Sequence, residues 1–131
     1  MNKKTSGFSL VELLIVIAII AILTTVAVPM YSKYITENNR SEAVTALLAA
    51  ASAQDKNELE NGSFVDDITT IYPANTENGL YVLSGGTIAS GSGYEIIATA
   101  QGSQASDTDC ATITLRVRGG VVSKTPAECW S

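Results

Sequence analysis

The stretch GFSLVELL, residues 7–14, opens an apolar run over residues 8–28 that contains a single charged residue, Glu12. A helix of that length reaches about 30 Å, the thickness of the hydrocarbon core of a bilayer. Lys3 and Lys4 precede the run, and lysines in this position favour the cytoplasmic side of a membrane. The sequence therefore predicts a membrane-spanning helix with its N-terminus inside.

An ordinary secretory signal peptide is the alternative interpretation of this run. Such a peptide is cut after its apolar part, beside small residues, and Ala18, Ala21 and Ala27 are available. The run is longer than a typical signal core, which favours the spanning helix.

Glu12 is the unusual residue of the run, because a carboxylate inside lipid costs on the order of 3 kcal/mol. If the chain were cut between Gly7 and Phe8, a new α-amino group would arise four residues before Glu12. On a neighbouring copy, that amine is a natural partner for the carboxylate. In the alternative, Glu12 reaches the lipid headgroups.

The N-terminus as a whole resembles the class III signal of type IV prepilins. That pattern is a basic leader ending in glycine, then phenylalanine, then an apolar stretch with glutamate at its fifth position, as in Gly7, Phe8 and Glu12. The resemblance implies cleavage after Gly7 by a prepilin peptidase, methylation of the amine of Phe8, and pairing of Glu12 with the N-terminus of an adjacent subunit. Pro29 matches the proline at which the family's helix kinks or locally melts in filaments.

The helix is predicted to continue beyond Pro29. Residues 30–60 contain no glycine or proline, and Asn61-Gly62 is a typical helix end. A helix over residues 8–60 would be roughly 80 Å long. Its second part has apolar residues at helical spacing, which predicts a stripe facing the core: Val44, Leu47, Leu48 and Ala51.

The remainder predicts a small antiparallel sheet. Strands are expected at residues 80–83, 94–100, 111–117 and 121–123, with a tight hairpin at Gly119-Gly120. Turn-forming residues predict loops over residues 63–79 and 84–93 and an exposed polar linker over 101–109.

The fold class expected is α+β. A long N-terminal helix, kinked near Pro29, packs against a roughly four-stranded antiparallel sheet, which is the type IV pilin fold that the resemblance implies. The domain organisation expected is a cleaved leader over residues 1–7, a membrane and filament-core helix over 8–30, and a globular head over 31–131.

Cys110 and Cys129 are the two cysteines. In an exported chain, two cysteines that close a short loop indicate a disulfide, which would stabilise the head by roughly 3 kcal/mol. The alternative is two free buried thiols. The ending around Cys129 and Trp130 resembles the disulfide-bounded C-terminal region of pilins. The stretch over residues 102–115, together with the Glu128-Cys129-Trp130 ending, most resembles small minor pilins of type IVa systems.

Composition argues against enzymes and against general nucleic-acid binding. The chain has no histidine, the commonest general base and metal ligand, and no phosphate-binding loop. No catalytic residue, cofactor or metal site is therefore expected. A net charge of −5 makes nucleic acid an unexpected partner, although one local basic patch would be compatible with it.

Two acidic pairs are candidate metal sites. Asp107 and Asp109 have a spacing that suits calcium, but a solvated loop is the favoured interpretation, and the same holds for Asp66-Asp67.

Three further features near the C-terminus are candidates for a functional role. The cations Arg116, Arg118 and Lys124 on adjoining strands form either a basic patch or an ordinary solvated face. Ser131 is either a glycan acceptor, as in some pilins, or unmodified. Trp130 is expected to pack against the sheet.

The function expected is that of a structural subunit of a type IV pilus, and more specifically a minor pilin supporting assembly, twitching motility or adhesion. Its partners would be other pilin subunits, prepilin peptidase and the inner-membrane assembly machinery. It would reside in the bacterial inner membrane and then in the extracellular pilus. Alternatives are a pseudopilin of a type II secretion system, which the cysteine pair disfavours, and a DNA-uptake or adhesin pilin.

Overall fold

A computed structural model describes residues 7–131, so the first six residues of the predicted leader lie outside the described residues. The chain forms one long helix, α1 (Leu10–Asn61), followed by four strands. These are β1 (Tyr81–Ile88), β2 (Gly93–Ala100), β3 (Thr112–Arg118) and β4 (Val121–Thr125). They form one antiparallel sheet in the order β1-β2-β3-β4, which confirms the predicted α+β fold.

The chain divides into two compact units. One ends at Ile35, and the other, the head, comprises Thr36–Ser131. The head therefore contains the second part of α1 and the whole sheet.

The limits of α1 agree with the sequence prediction. The helix ends where Gly62 takes a positive φ of 80° and donates its N–H to the carbonyl of Glu58 at 2.7 Å, a conformation that glycine adopts without strain. The helix is continuous through Pro29. The kink expected near Pro29 stays a prediction.

The core of the head lies between one face of α1 and one face of the sheet. The prediction for this face was right for Leu47, which is fully buried, and wrong for Leu48, which is 44% exposed. The buried face is centred instead on small residues, which let the sheet approach the helix closely. The buried apolar residues of α1 are Ala43, Ala46, Leu47 and Ala50, and those of the strands are Tyr81, Leu83, Tyr94, Ile96, Ala98, Ile113 and Leu115.

The strand predictions were right for β2 and β3, whose inward faces are buried in the expected alternation. The prediction of a loop over residues 84–93 was wrong, because β1 continues to Ile88 and pairs along its length with β2. Its glycines reflect close packing. A Cβ on Gly86 would lie 1.7 Å from the carbonyl oxygen of Asp66, and one on Gly85 would lie 2.1 Å from that of Glu95.

The linker over residues 101–109 is not uniformly exposed, contrary to prediction. It forms two short 3₁₀ helices, Gly102–Ser106 and Thr108–Cys110, and buries the side chains of Gln104 and Asp107. Polar side chains are buried here because they find polar partners on α1, as described below.

Cys110 and Cys129 form the predicted disulfide, with their Cα atoms 5.8 Å apart. Both cysteines are buried. The loop that the bond closes contains β3 and β4.

Candidate functional site

The N-terminal end of α1 is organised by Ser9. Its side-chain Oγ accepts a hydrogen bond from the backbone N–H of Glu12 at 3.2 Å, and its carbonyl accepts one from the N–H of Leu13 at 3.1 Å. Serine in this position caps a helix because it satisfies an N–H that has no partner within the helix. Gly7, Phe8 and Glu12 are all exposed here, Phe8 by 84%.

The first part of α1 presents an apolar surface with no cover from the described chain. A stretch near the N-terminus is long and apolar enough to cross a membrane, with a mean hydropathy of 2.8, and none of it is buried. Exposed apolar area of this extent marks contact with a membrane or with other proteins. Its large exposed residues include Leu13, Leu14, Ile15, Val16, Ile17, Ile19, Ile20, Ile22, Leu23, Val26 and Val28.

Near Pro29, side chains take part in the helix hydrogen bonding. The hydroxyl of Thr24 donates to the carbonyl of Ala21 at 2.9 Å, and that of Thr25 donates to the carbonyl of Ile22 at 2.6 Å. Proline has no N–H, so the carbonyl of Thr25 lacks its usual donor. Such side-chain bonds and a proline both loosen or bend helices.

In the head, polar contacts fix the segment 101–110 to α1. The guanidinium of Arg40 forms two hydrogen bonds of 2.7 Å with the carboxylate of Asp107, and this bond raises the pKa of Arg40. The side-chain N–H groups of Gln104 donate to the carbonyl of Thr36 at 2.8 Å and to the hydroxyl of Tyr81 at 3.0 Å.

A second set of contacts fixes the segment 76–80. The carboxylate of Glu42 accepts bonds from the hydroxyl of Thr76 at 2.6 Å, the backbone N–H of Asn78 at 3.0 Å and that of Leu80 at 3.3 Å. Burial opposes ionisation, but the bonds from Thr76, Asn78 and Leu80 outweigh it and lower the pKa of Glu42. The carboxylate therefore serves as a fixed acceptor for this segment.

Comparison with known proteins identifies the family. A sequence profile described as "Type IV minor pilin ComP, DNA uptake sequence receptor" matches residues 29–114, well over half of the chain. The chain belongs to this family of type IV minor pilins. A second profile, described as "Prokaryotic N-terminal methylation motif", matches residues 2–28 of the pilin.

Individual relatives are type IV pilins and fimbrial proteins. This pilin is 36% identical over 99 residues to the fimbrial protein EcpC of Eikenella corrodens, a match covering 76% of this chain and 65% of EcpC. It is 38% identical over 84 residues to the type IV major pilin PilE of Neisseria gonorrhoeae, a match covering 63% of this chain and 50% of PilE. The chain thus spans less than two thirds of the length of these curated relatives.

The predicted basic patch of the pilin is divided by the sheet. Arg116 and Arg118 lie on the outer face of β3, and Arg116 is paired with Glu95 on β2. Lys124 is opposite Leu115, whose side chain is buried in the core. Since residues directly opposite each other share a face, Lys124 lies on the other face from the arginines. Grouping the three cations was therefore wrong.

At least one carboxylate of each acidic pair has a structural partner, whereas Asp109 is exposed as expected for a solvated loop. Asp107 is 8% exposed and bonded to Arg40, and Asp67 caps a 3₁₀ helix (Ile68–Thr70) by accepting from the N–H of Thr69 at 2.9 Å. Within residues 7–131, no cluster of three or more metal-ligating side chains occurs.

The C-terminal residues lie beside β4. Trp130 packs against the core, as predicted. Its indole N–H donates to the carbonyl of Thr125 at 3.4 Å. The ammonium of Lys124 lies 5.3 Å from the centre of the Trp130 ring. Ser131 is exposed. Its modification stays a prediction.

Sequence reasoning did not identify Arg40, Glu42 or Gln104 as important residues. A usable pattern existed for Arg40, because the series Arg40, Ala43, Leu47, Ala50 and Gln54 has alternating spacings of three and four residues. That spacing places all five residues on one helix face. A charged residue continuing a buried stripe predicts a buried partner of opposite charge.

Proposed function

We propose that this minor pilin is a structural subunit of a type IV pilus and enters the filament through residues 8–28. In this proposal the protein waits in the inner membrane as a single-pass protein and is then extracted into the filament, where other pilin subunits cover the apolar helix.

The observation that carries the proposal is the uncovered first part of α1. It is the most apolar segment of the chain, yet none of it is buried. Lipid before assembly and neighbouring helices after assembly would each provide the apolar surroundings that this surface needs. The methylation motif matched over residues 2–28 supports the same conclusion.

The processing steps extend the proposal to particular residues. A prepilin peptidase would cut between Gly7 and Phe8 and methylate the new amine. Residues 8–30 would then be the membrane and filament helix, and residues 31–131 the globular region that includes the head. The exposed carboxylate of Glu12 would then pair with the amine of Phe8 on an adjacent subunit. Two opposite charges brought together in an apolar filament core align the subunits, because either charge alone there is costly.

The test uses Glu12→Ala and Glu12→Lys in cells that carry the rest of the pilus system. We expect both variants to insert into the membrane and be cleaved, but to be depleted in sheared filaments. Glu77→Ala, at an exposed head carboxylate, is the matched control and should assemble normally. Mass spectrometry of filaments and membranes gives abundance, cleavage and methylation together. Normal amounts of the Glu12 variants in filaments would contradict the proposal.

DNA binding by the head is a second candidate, favoured by the description of the matched family as a DNA uptake sequence receptor. Arg118 is exposed and lies with Arg116 at a cavity of about 260 Å³ beside the β1–β2 turn. In that turn Ala89 and Ser90 both adopt positive φ values, 52° and 57°. Strained backbone of this kind is often found at binding sites. Against this stands the net charge of −5.

Fluorescence anisotropy of labelled duplex DNA with the full chain in detergent, across a salt series, tests the second candidate. If Arg118 contacts a phosphate, the Arg118→Ala variant should bind DNA more weakly. The slope of log K against log salt concentration should also fall in magnitude by about one, because one fewer counterion is released. Lys56→Ala, at an exposed lysine paired with Glu60, is the control. Absence of salt-dependent binding would remove this candidate.

A further inference from the structure

The two edge strands of the sheet, β1 and β4, differ in whether another segment of the chain covers them. The outer edge of β1 is covered: the N–H of Leu83 donates to the carbonyl of Ala74 at 2.6 Å, and Asn75 pairs with Val82. Beyond β4 the described residues add no further strand, and the indole of Trp130 bonds to the carbonyl of Thr125 at the end of the strand. All five residues of β4 are exposed.

The backbone at this bare edge has a defined set of free groups. The turn Gly119-Gly120 has two residues, so Arg118 and Val121 form a hydrogen-bonded pair. Because such pairs alternate along an antiparallel ladder, Val122 and Lys124 direct their N–H and C=O groups away from β3. Unpaired groups in a row are a template for another strand.

The side chains of the edge combine apolar surface with positive charge. Val121 and Val122 are 69% and 55% exposed, and they are the only large apolar residues of the described strands that are exposed to this degree. Residues 118–125 contain Arg118 and Lys124 and no carboxylate. Neither cation forms an ion pair within residues 7–131, whereas Arg40 and Arg116 each do.

We propose that the edge of β4 binds an extended, acidic segment of a partner protein by adding it to the sheet as a fifth strand. Main-chain hydrogen bonds to Val122 and Lys124 would supply the attachment. Lys124, on the core-side face of the edge strand, and Arg118, on the opposite face beside the turn, would each select a carboxylate on its own face of the added strand. A strand of this length has room for a segment of about five residues. A second copy of β4 is the wrong occupant, because it would bring the same cations together.

The test is an NMR titration of the full chain, ¹⁵N-labelled and in detergent micelles. The probe is a peptide of about ten residues that consists of valines and threonines with aspartates spaced among them. We expect saturable shifts of the amides of Val122 and Lys124 and slower hydrogen exchange at both. The same peptide with lysine in place of aspartate should bind at least about tenfold more weakly.

Two variants separate strand addition from simple charge attraction. Val122→Pro removes one outward N–H without removing a bond to β3, and it should weaken peptide binding about tenfold. Val122→Thr keeps that N–H and is the matched control, expected to bind as the parent does. Lys124→Glu should reverse the preference from the acidic to the basic peptide.

Four results would overturn the proposal. One is the absence of shifts at Val122 and Lys124 at about 1 mM peptide, a concentration that detects even weak binding. Another is equal binding of the acidic peptide by the parent and by Val122→Pro. The third is a concentration-dependent dimer without peptide that Val122→Pro abolishes, because the occupant would then be a second copy. Duplex DNA that competes with the acidic peptide, and binds Val122→Pro as well as the parent, would assign the edge to phosphate.

Discussion

The two parts of α1 belong to one continuous helix but differ in how their apolar side chains are covered. Up to Ile35, the large residues Leu, Ile and Val are mostly about half exposed or more, as at Ile17 with 54%. In the head, the face that packs on the sheet is mostly alanine, and Ala43, Leu47 and Ala50 are fully buried. The more hydrophobic part of the helix is therefore the part that residues 7–131 leave uncovered.

This difference shows that hydrophobicity alone does not tell where a helix packs within its own chain. A face of small side chains lets a sheet approach closely, and the bulk of the core is then supplied by the sheet through residues such as Tyr81 and Tyr94. A face of large side chains with no partner in its own chain requires surroundings from outside.

Leu47→Ala should have the largest effect on the stability of the head. Removing a fully buried leucine costs about 2–5 kcal/mol through lost burial and the cavity left behind. Ile17→Ala, the matched change in the exposed part, should leave the unfolding of the head unchanged. Denaturant unfolding of the full chain in detergent, followed by near-UV circular dichroism, measures both. Equal losses for the two variants would abolish the contrast between the two parts.

Arg40→Ala should have the next largest effect, because it leaves Asp107 nearly buried without its partner. We expect a loss of about 2–3 kcal/mol, less than for a fully buried pair because Arg40 keeps some solvent contact. The double variant Arg40→Leu/Asp107→Leu should recover part of the loss. If the double variant is less stable than Arg40→Ala, the loss of stability does not come from the unpaired carboxylate of Asp107.

Glu42→Gln tests the contacts that fix segment 76–80, and should cost about 1–2 kcal/mol at neutral pH. Since the folded-state pKa of Glu42 is lowered, its contribution is complete above the pKa of the unfolded carboxyl. It is lost as the pH falls below the ordinary glutamate pKa of about 4.3 and through the lowered folded-state pKa. The difference between parent and variant should therefore shrink in acid. Unfolding curves at several pH values measure this difference in stability. A difference that stays constant with pH would exclude the ionised carboxylate of Glu42 as its source.

Leu48→Ala should have the smallest effect, below about 1 kcal/mol, because Leu48 is 44% exposed. It is the neighbour of Leu47 and has the same side chain, so this pair measures how narrow the packed face of α1 is. A loss as large as that of Leu47→Ala would mean that Leu48 is covered in the folded protein.

Much of the fold could be predicted from local patterns. The absence of glycine and proline over residues 30–60 gave the length of the helix, and Asn61-Gly62 gave its end. Alternation gave the inward faces of β2 and β3, since a strand repeats every two residues. The N-terminal motif was recognisable because its residues lie close together in sequence.

The parts that failed depend on contacts between distant residues. Residue 86 is a glycine in the middle of β1 because the backbone of Asp66 leaves no room for a Cβ. No local pattern distinguishes such a glycine from one in a turn. Asp107 is buried because Arg40 lies opposite it, 67 positions earlier in the chain. Lys124, by contrast, need not have been grouped with Arg116 and Arg118, because the predicted two-residue turn at Gly119-Gly120 already pairs Leu115 with Lys124.

The position of the disulfide has a mechanical consequence. Both strands of the β3–β4 hairpin lie inside the loop closed by Cys110 and Cys129. Tension applied at the C-terminal end of the chain therefore passes from Cys129 directly to Cys110 through a covalent bond. The hairpin carries none of that load and cannot be unzipped from its free end. A protease cut at Gly119-Gly120 would leave the two pieces joined until a reductant is added.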